Sequence, residues 1–149
     1  MSAVLVRAED LHARLGQRGL VLVDCRHVLS DPDAGERAWR EARLPGAGHA
    51  HLDRDLSAHD RPATEGRHPL PRTDTFLRAL ERLGITPGSD VVAYDAGDGA
   101  MAAARFWWLM KLLGHDRVTV LDGGLARWQS LGFPMESGEP VPPPRGRYF

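Results

Sequence analysis

The chain has 149 residues, with 19 basic against 20 acidic side chains, so its charge recommends neither a nucleic acid nor an anionic membrane surface as partner. Lys111 is the sole lysine, and arginines spread through the sequence mostly read as surface. The single cysteine, Cys25, excludes an intrachain disulfide and a four-thiolate metal site. No apolar run approaches the ~20 residues of a membrane span, and the opening MSAVLVRAED lacks a signal-peptide core. The expectation is a single soluble, cytoplasmic domain with no nucleic-acid or membrane partner.

In chain order, Val4–Val6 and Val21–Asp24 read as strands. From Asp31 to Pro71 proline, glycine and charge are dense, and the reading is irregular chain around one extended piece, Gly48–Asp53. Asp74 is placed as the cap of a helix carrying Phe76, Leu77, Leu80 and Leu83, with Gly84 as its stop. Val91–Tyr94 is a strand. Met101–Leu113 is a helix apolar nearly all round that ends at Gly114. Val118–Leu121 is a strand, and Leu125, Trp128 and Leu131 mark a last helix ending at Gly132. The later strands are Val-rich without polar alternation, as strands covered on both faces are. Strands separated by helices predict an α/β fold: a mainly parallel sheet with helices on both faces. Pro140, Pro142, Pro143 and Pro144 predict an extended connector. Beyond it, Tyr148 and Phe149 have no evident core to join.

Several groups carry possible chemistry. Tyr94–His115 opens as a strand end, crosses a Gly-bearing turn (Asp95–Gly99) and continues as a helix. Such a strand–turn–helix gathers backbone N–H groups and a helix dipole in one concavity. Yet this turn offers Asp95 and Asp98, with no Cys, Ser or Lys to attack. Cys25, beside Arg26 and His27, has the neighbours that activate a thiol. Its strand parity matches Val21 and Val23, which favours a core thiol. Asp24 and Arg26 share the opposite parity and pair structurally. His49, His51, Asp53 and Asp55 alternate, so an extended segment sets them on one face; two His and a carboxylate form a possible metal set, and a solvated polar edge is the plainer reading. Gly66–Pro71 is a proline-fixed turn holding Arg67 and His68, either a surface connector or a His–Arg pair aimed at a site with Asp55 orienting the imidazole. Trp107 and Trp108 project about 100° apart on their helix, so one faces the sheet and the other, with Phe106, covers a different surface.

These stretches resemble the rhodanese-type sulfurtransferases, and specifically the amino-terminal half of two-domain members. The likeness is carried by VLVDCR (Val21–Arg26), LPGAGHAHLDRDLS (Leu44–Ser57), GRHPLP (Gly66–Pro71), VVAYDAGDGAMAAARFWW (Val91–Trp108), GHDRVTVLDGGLARW (Gly114–Trp128) and GFPMESG (Gly132–Gly138). One departure is Ala42-Arg43, where the family writes Gly-His. The resemblance implies a five-stranded, mainly parallel sheet, with residues 1–139 forming an inactive copy of the domain. Residues 140–149 become a linker toward a second, carboxy-terminal rhodanese domain as partner.

In active copies the loop after the fourth strand opens with the catalytic cysteine. Here Asp95 stands at that position, and Asp95, Ala96, Gly97, Asp98, Gly99 and Ala100 form a degenerate active-site loop. The resemblance further implies that Asp55 and His68 face the catalytic loop of the second domain as an interdomain acid–base pair. The parent enzyme would move sulfane sulfur from thiosulfate or 3-mercaptopyruvate to a thiophilic acceptor through a cysteine persulfide, with small sulfur-containing anions as ligands and no metal or cofactor. Two alternatives stand beside this: a stand-alone anion-binding or regulatory rhodanese module, and a metallohydrolase using His49, His51 and Asp53.

Overall fold

The structure, a computed structural model, describes residues 4–58, 69–97 and 102–149. The elements in chain order are β1 (Leu5–Val6), α1 (Ala8–Arg14), β2 (Leu20–Asp24), α2 (Ala34–Glu41), β3 (Ala42–Arg43), β4 (Gly48–His49), α3 (Thr73–Arg82), β5 (Asp90–Tyr94), α4 (Ala102–Leu113), β6 (Val118–Leu121), α5 (Gly124–Ser130) and β7 (Glu136–Ser137). Five strands form one parallel sheet in the order β1-β6-β5-β2-β4, and β3 pairs with β7 antiparallel. The predicted five-stranded α/β sheet is the observed one.

Strand parity divides the core. Val23, Cys25, Val91 and Ala93 face one side, where α3 and α4 contribute Phe76, Leu80, Phe106 and Met110. Leu22, Val92 and Tyr94 face the other, against Ala8 and Leu11 of α1 and Leu125 and Trp128 of α5. Successive side chains of a strand point to opposite faces, so a sheet covered twice needs apolar residues at every position.

The segment expected to be irregular, residues 31–71, contains α2. Its composition is polar and its apolar signal small; within the helix only Gly35 is buried. That glycine is required, because a Cβ there would lie 1.9 Å from the Arg26 carbonyl oxygen. The short α1 leaves little apolar signal in the sequence, since just Ala8 and Leu11 of the helix are buried. Asp74 is not a cap. Arg72 is the N-cap residue of α3, and Asp74 sits in the first turn, where a carboxylate favours the helix dipole. Phe106 goes into the core, edge-on to Phe76, while Trp107 packs partly against it and Trp108 is exposed.

The tail departs from the sequence reading too. Tyr148 is buried within the α3–α4 core, and its hydroxyl lies 2.8 Å from His115 Nδ1. His115 Nε2 meets the Ser89 carbonyl at 2.9 Å. A carbonyl only accepts, so Nε2 carries the proton and Tyr148 donates to Nδ1. Gly146 N–H donates to the Glu81 carbonyl, which fastens the tail to the end of α3. Phe149 remains exposed.

Tyr148→Ala is expected to lower stability by about 2–4 kcal/mol through a buried void. Tyr148→Phe is expected to cost about 1 kcal/mol through the lost hydrogen bond. Urea unfolding of both variants measures this; equal small effects would mean the ring is not part of the core.

Candidate functional site

The carboxyl ends of β4, β2 and β5 lie side by side, because Asp24 is in register with His49 on one neighbour and Tyr94 on the other. In open parallel sheets, ligands bind in the crevice outside these ends. Asp24 is wholly buried. Its Oδ1 accepts the Arg26 N–H at 2.9 Å and faces His49 Nδ1 at 3.2 Å, and its Oδ2 accepts from Arg26 Nε at 2.8 Å. A carboxylate accepts only, so the His49 proton sits on Nδ1. Arg26 also donates to the Ala42 carbonyl, and the Tyr94 hydroxyl accepts the Leu44 N–H at 3.1 Å. The Asp24–Arg26 pair expected from strand parity is present.

Cys25 follows directly in the chain and is fully buried, with its N–H donating to the Tyr94 carbonyl at 2.7 Å. Burial, reinforced by the negative charges of Asp24, Asp95 and Asp55, pushes its thiol well above the ordinary range. Arg26 is turned to Asp24 and does not activate the sulfur. Cys25 is a core thiol.

Tyr94 leads into the loop at Asp95. The Asp95 carboxylate is buried and turned inward: Oδ1 accepts the Gly97 N–H at 3.0 Å and Oδ2 accepts the Ala103 N–H at 3.3 Å. Ala103 is the second residue of α4, so the side chain serves one of the donors that a helix leaves open at its start. The start of α5 docks on the same loop, Leu125 N–H donating to the Asp95 carbonyl and Ala126 N–H to that of Ala96. This contact needs glycine on both sides. Gly97 has φ +87° and a Cβ there would lie 2.1 Å from the Gly123 oxygen, while one on Gly124 would lie 2.7 Å from the Asp95 oxygen. The loop therefore holds an anion of its own, a carboxylate with no sulfur or hydroxyl nucleophile.

Comparison with known proteins decides the family. The rhodanese-like domain matches residues 7–131. The chain belongs to the rhodanese-like family. A probable 3-mercaptopyruvate sulfurtransferase of Pseudomonas aeruginosa is 47% identical over 139 residues, covering 93% of this chain and 49% of that protein. The human 3-mercaptopyruvate sulfurtransferase is 36% identical over 141 residues, covering 92% of this chain and 46% of that protein. Among solved structures, the 3-mercaptopyruvate sulfurtransferase from Leishmania major superposes with a TM-score of 0.86 at 31% identity, over 97% of this chain and 40% of that one. The chain thus spans about half the length of the curated relatives just named.

In this rhodanese-like domain the other sequence-predicted residues are dispersed among separate tasks. His51 Nδ1 accepts the N–H groups of Asp53 and Arg54, each at 3.2 Å, and Nε2 faces Asp33 at 3.3 Å. Both ring nitrogens are spent, and Asp53 lies beside His27 at 4.0 Å. His49, His51 and Asp53 therefore do not converge, and among the described residues no group of three His, Cys, Asp or Glu could hold a metal ion. Asp55 is buried, its Oδ2 accepting the His51 N–H at 2.9 Å and Arg82 Nη2 at 2.8 Å. His68, its expected companion, lies outside the described residues, as do Arg67, Asp98, Gly99 and Ala100.

The arginines are not uniformly at the surface. Arg43 is buried and donates to Glu136 and to the carbonyls of Trp39, Arg40 and Gly138. It occupies the place where the family writes histidine, and its fork ties β3 to the chain around β7. Arg82 and Arg105 likewise hold the segment around Asp55. No local pattern distinguishes these from the solvated arginines, because each also binds a carbonyl or carboxylate distant in sequence.

Two results are expected. Asp95→Ala should cost about 1 kcal/mol by uncapping α4, measured by chemical denaturation. Cys25 and Tyr94 are neutral when protonated, and burial raises both above their unfolded values. The unfolded chain therefore loses these protons first. Stability contributed by the thiol should be intact below about pH 9 and fall as pH rises further. Unfolding between pH 7 and 10.5 should show this decline weakened in Cys25→Ala, and the native thiol should resist alkylation at neutral pH.

Proposed function

We propose that this chain is the non-catalytic, amino-terminal rhodanese domain of a two-domain sulfurtransferase, with residues 140–149 packing on residues 1–139 through Tyr148 and leading to a second domain. The observation that carries this reading is Asp95. Where an active copy opens its loop with cysteine, this chain has a carboxylate held by the Gly97 and Ala103 N–H groups. A carboxylate cannot accept sulfane sulfur, and the buried Cys25 cannot replace it. The names of the relatives favour 3-mercaptopyruvate or thiosulfate as donor.

In the parent reaction a cysteine thiolate of the second domain attacks the outer sulfur of thiosulfate, forming the S–S bond of a persulfide and expelling sulfite. With 3-mercaptopyruvate the same attack breaks the carbon–sulfur bond and leaves the enolate of pyruvate, which must take up a proton. Asp55 and His68 are assigned to that proton movement at the interdomain cleft. A His near neutrality supplies it, and a neighbouring carboxylate favours the charged imidazole. The carboxylate of Asp55 is already oriented by Arg82 and the His51 N–H.

This chain alone is expected to produce no thiocyanate from cyanide with either donor; turnover abolished by Cys25→Ser would overturn the reading of the thiol. In the intact protein, His68→Ala should lower kcat by roughly 10²–10⁴-fold if the residue is a general acid–base. Unchanged steady-state constants with both donors would remove Asp55 and His68 from the mechanism.

A further inference from the structure

Arg105 stands in the second turn of α4 and is half-buried. Its Nε donates to the Leu56 carbonyl at 2.8 Å and its Nη2 to the Pro69 carbonyl at 3.0 Å. The Pro69 carbonyl also accepts the Ala58 N–H at 3.0 Å. One guanidinium thus joins Leu56 to Pro69 across the intervening chain, and a backbone bond beside it closes the same junction. Leu56 adjoins Asp55, and Pro69 adjoins His68. Asp55 is held by Arg82, the last residue of α3. Its side chain is therefore fixed from α3 and its backbone neighbour from α4.

We propose that Arg105 is a positioning residue that sets the Asp55–Ala58 segment and the Pro69 backbone in the arrangement the sulfurtransferase reaction uses. This rests on the Asp55 and His68 reading above. The physical requirement is a planar fork. Two carbonyls from different segments present two acceptors, which Nε and Nη2 of one guanidinium meet simultaneously. A lysine ammonium is a point donor on a flexible stem and does not reproduce that spacing. Partial burial removes water that would compete for both carbonyls. It also draws the guanidinium pKa below its ordinary value, in keeping with a cation kept for its geometry.

The test uses Arg105→Lys and Arg105→Gln, with circular dichroism to confirm the fold. Amide hydrogen exchange of this chain reads the junction itself. The Ala58 amide should exchange about 10-fold faster or more in both variants, the scale of one lost hydrogen bond from a charged donor. Unchanged Ala58 exchange overturns the clamp, whatever the kinetics show. In the full-length protein containing this chain, Arg105→Lys should lower kcat about 10-fold or more with little change in KM. The loss should be largely absent in a His68→Ala background, because both changes disable the same unit. A loss expressed in KM, or one fully additive with His68→Ala, would overturn positioning in favour of direct contact between Arg105 and substrate. If His68→Ala and Asp55→Asn leave kcat unchanged, the site reading fails and the catalytic half of this inference falls with it. The exchange result then still decides whether Arg105 holds the junction.

Discussion

The buried carboxylate of Asp24 is the constraint around which this domain is arranged. Removing a charge from water costs several kcal/mol unless partners replace the solvent. The partners come from three places in the chain: Arg26 by backbone and side chain, His49 by its imidazole, and Tyr94 alongside in the next strand. Meeting this one requirement lines up the ends of β2, β4 and β5. It also carries Arg26 to the Ala42 carbonyl and Tyr94 to the Leu44 N–H, so the chain from 42 to 50 is fastened over the sheet. The same negative charge helps keep the adjacent Cys25 protonated and inert.

Arginine extends this ordering into segments with little regular structure. Arg43 binds three carbonyls and Glu136, Arg82 binds the His49 carbonyl and Asp55, and Arg105 binds the carbonyls of Leu56 and Pro69. Backbone carbonyls outside helices and strands need donors when water is excluded. A guanidinium serves several at once in a fixed plane, which explains why a nearly lysine-free sequence can order so much loop. The segment around Asp55 gains its definition from side chains on α3 and α4.

The loop at Asp95 is held by its own carboxylate. A strand end, a glycine turn and a helix start present N–H groups that require a negative partner. The aspartate meets that requirement covalently, with its own carboxylate. Close approach of α5, permitted by Gly97 and Gly124, locks the turn from outside. The N–H groups around Asp95 thus serve the fold of this domain through its own carboxylate.

The central strands and the longer helices were legible because burial on both faces writes itself into local composition. Val21–Asp24, Val91–Tyr94 and Val118–Leu121 reappear within one residue as β2, β5 and β6, and Gly84 and Gly114 end their helices at positive φ. The parity of Asp24, Cys25 and Arg26 correctly separated a core thiol from a paired carboxylate. That residue 95 carries a carboxylate, with neither thiol nor hydroxyl, is a fact of residue type alone. What the tertiary structure decided was partnership. Alternation set His49, His51, Asp53 and Asp55 on one notional face, but the chain turns after His49 and each finds a different partner. The polar α2 forms because Gly35 lets it touch the Arg26 backbone, and Tyr148 becomes core because His115, held by the Ser89 carbonyl, meets its hydroxyl. Arg43, Arg82 and Arg105 look like any other arginine until the fold brings distant carbonyls and carboxylates within reach. Periodicity records which face of an element is dry, whereas a polar contact depends on two points in space whose separation along the chain carries no pattern.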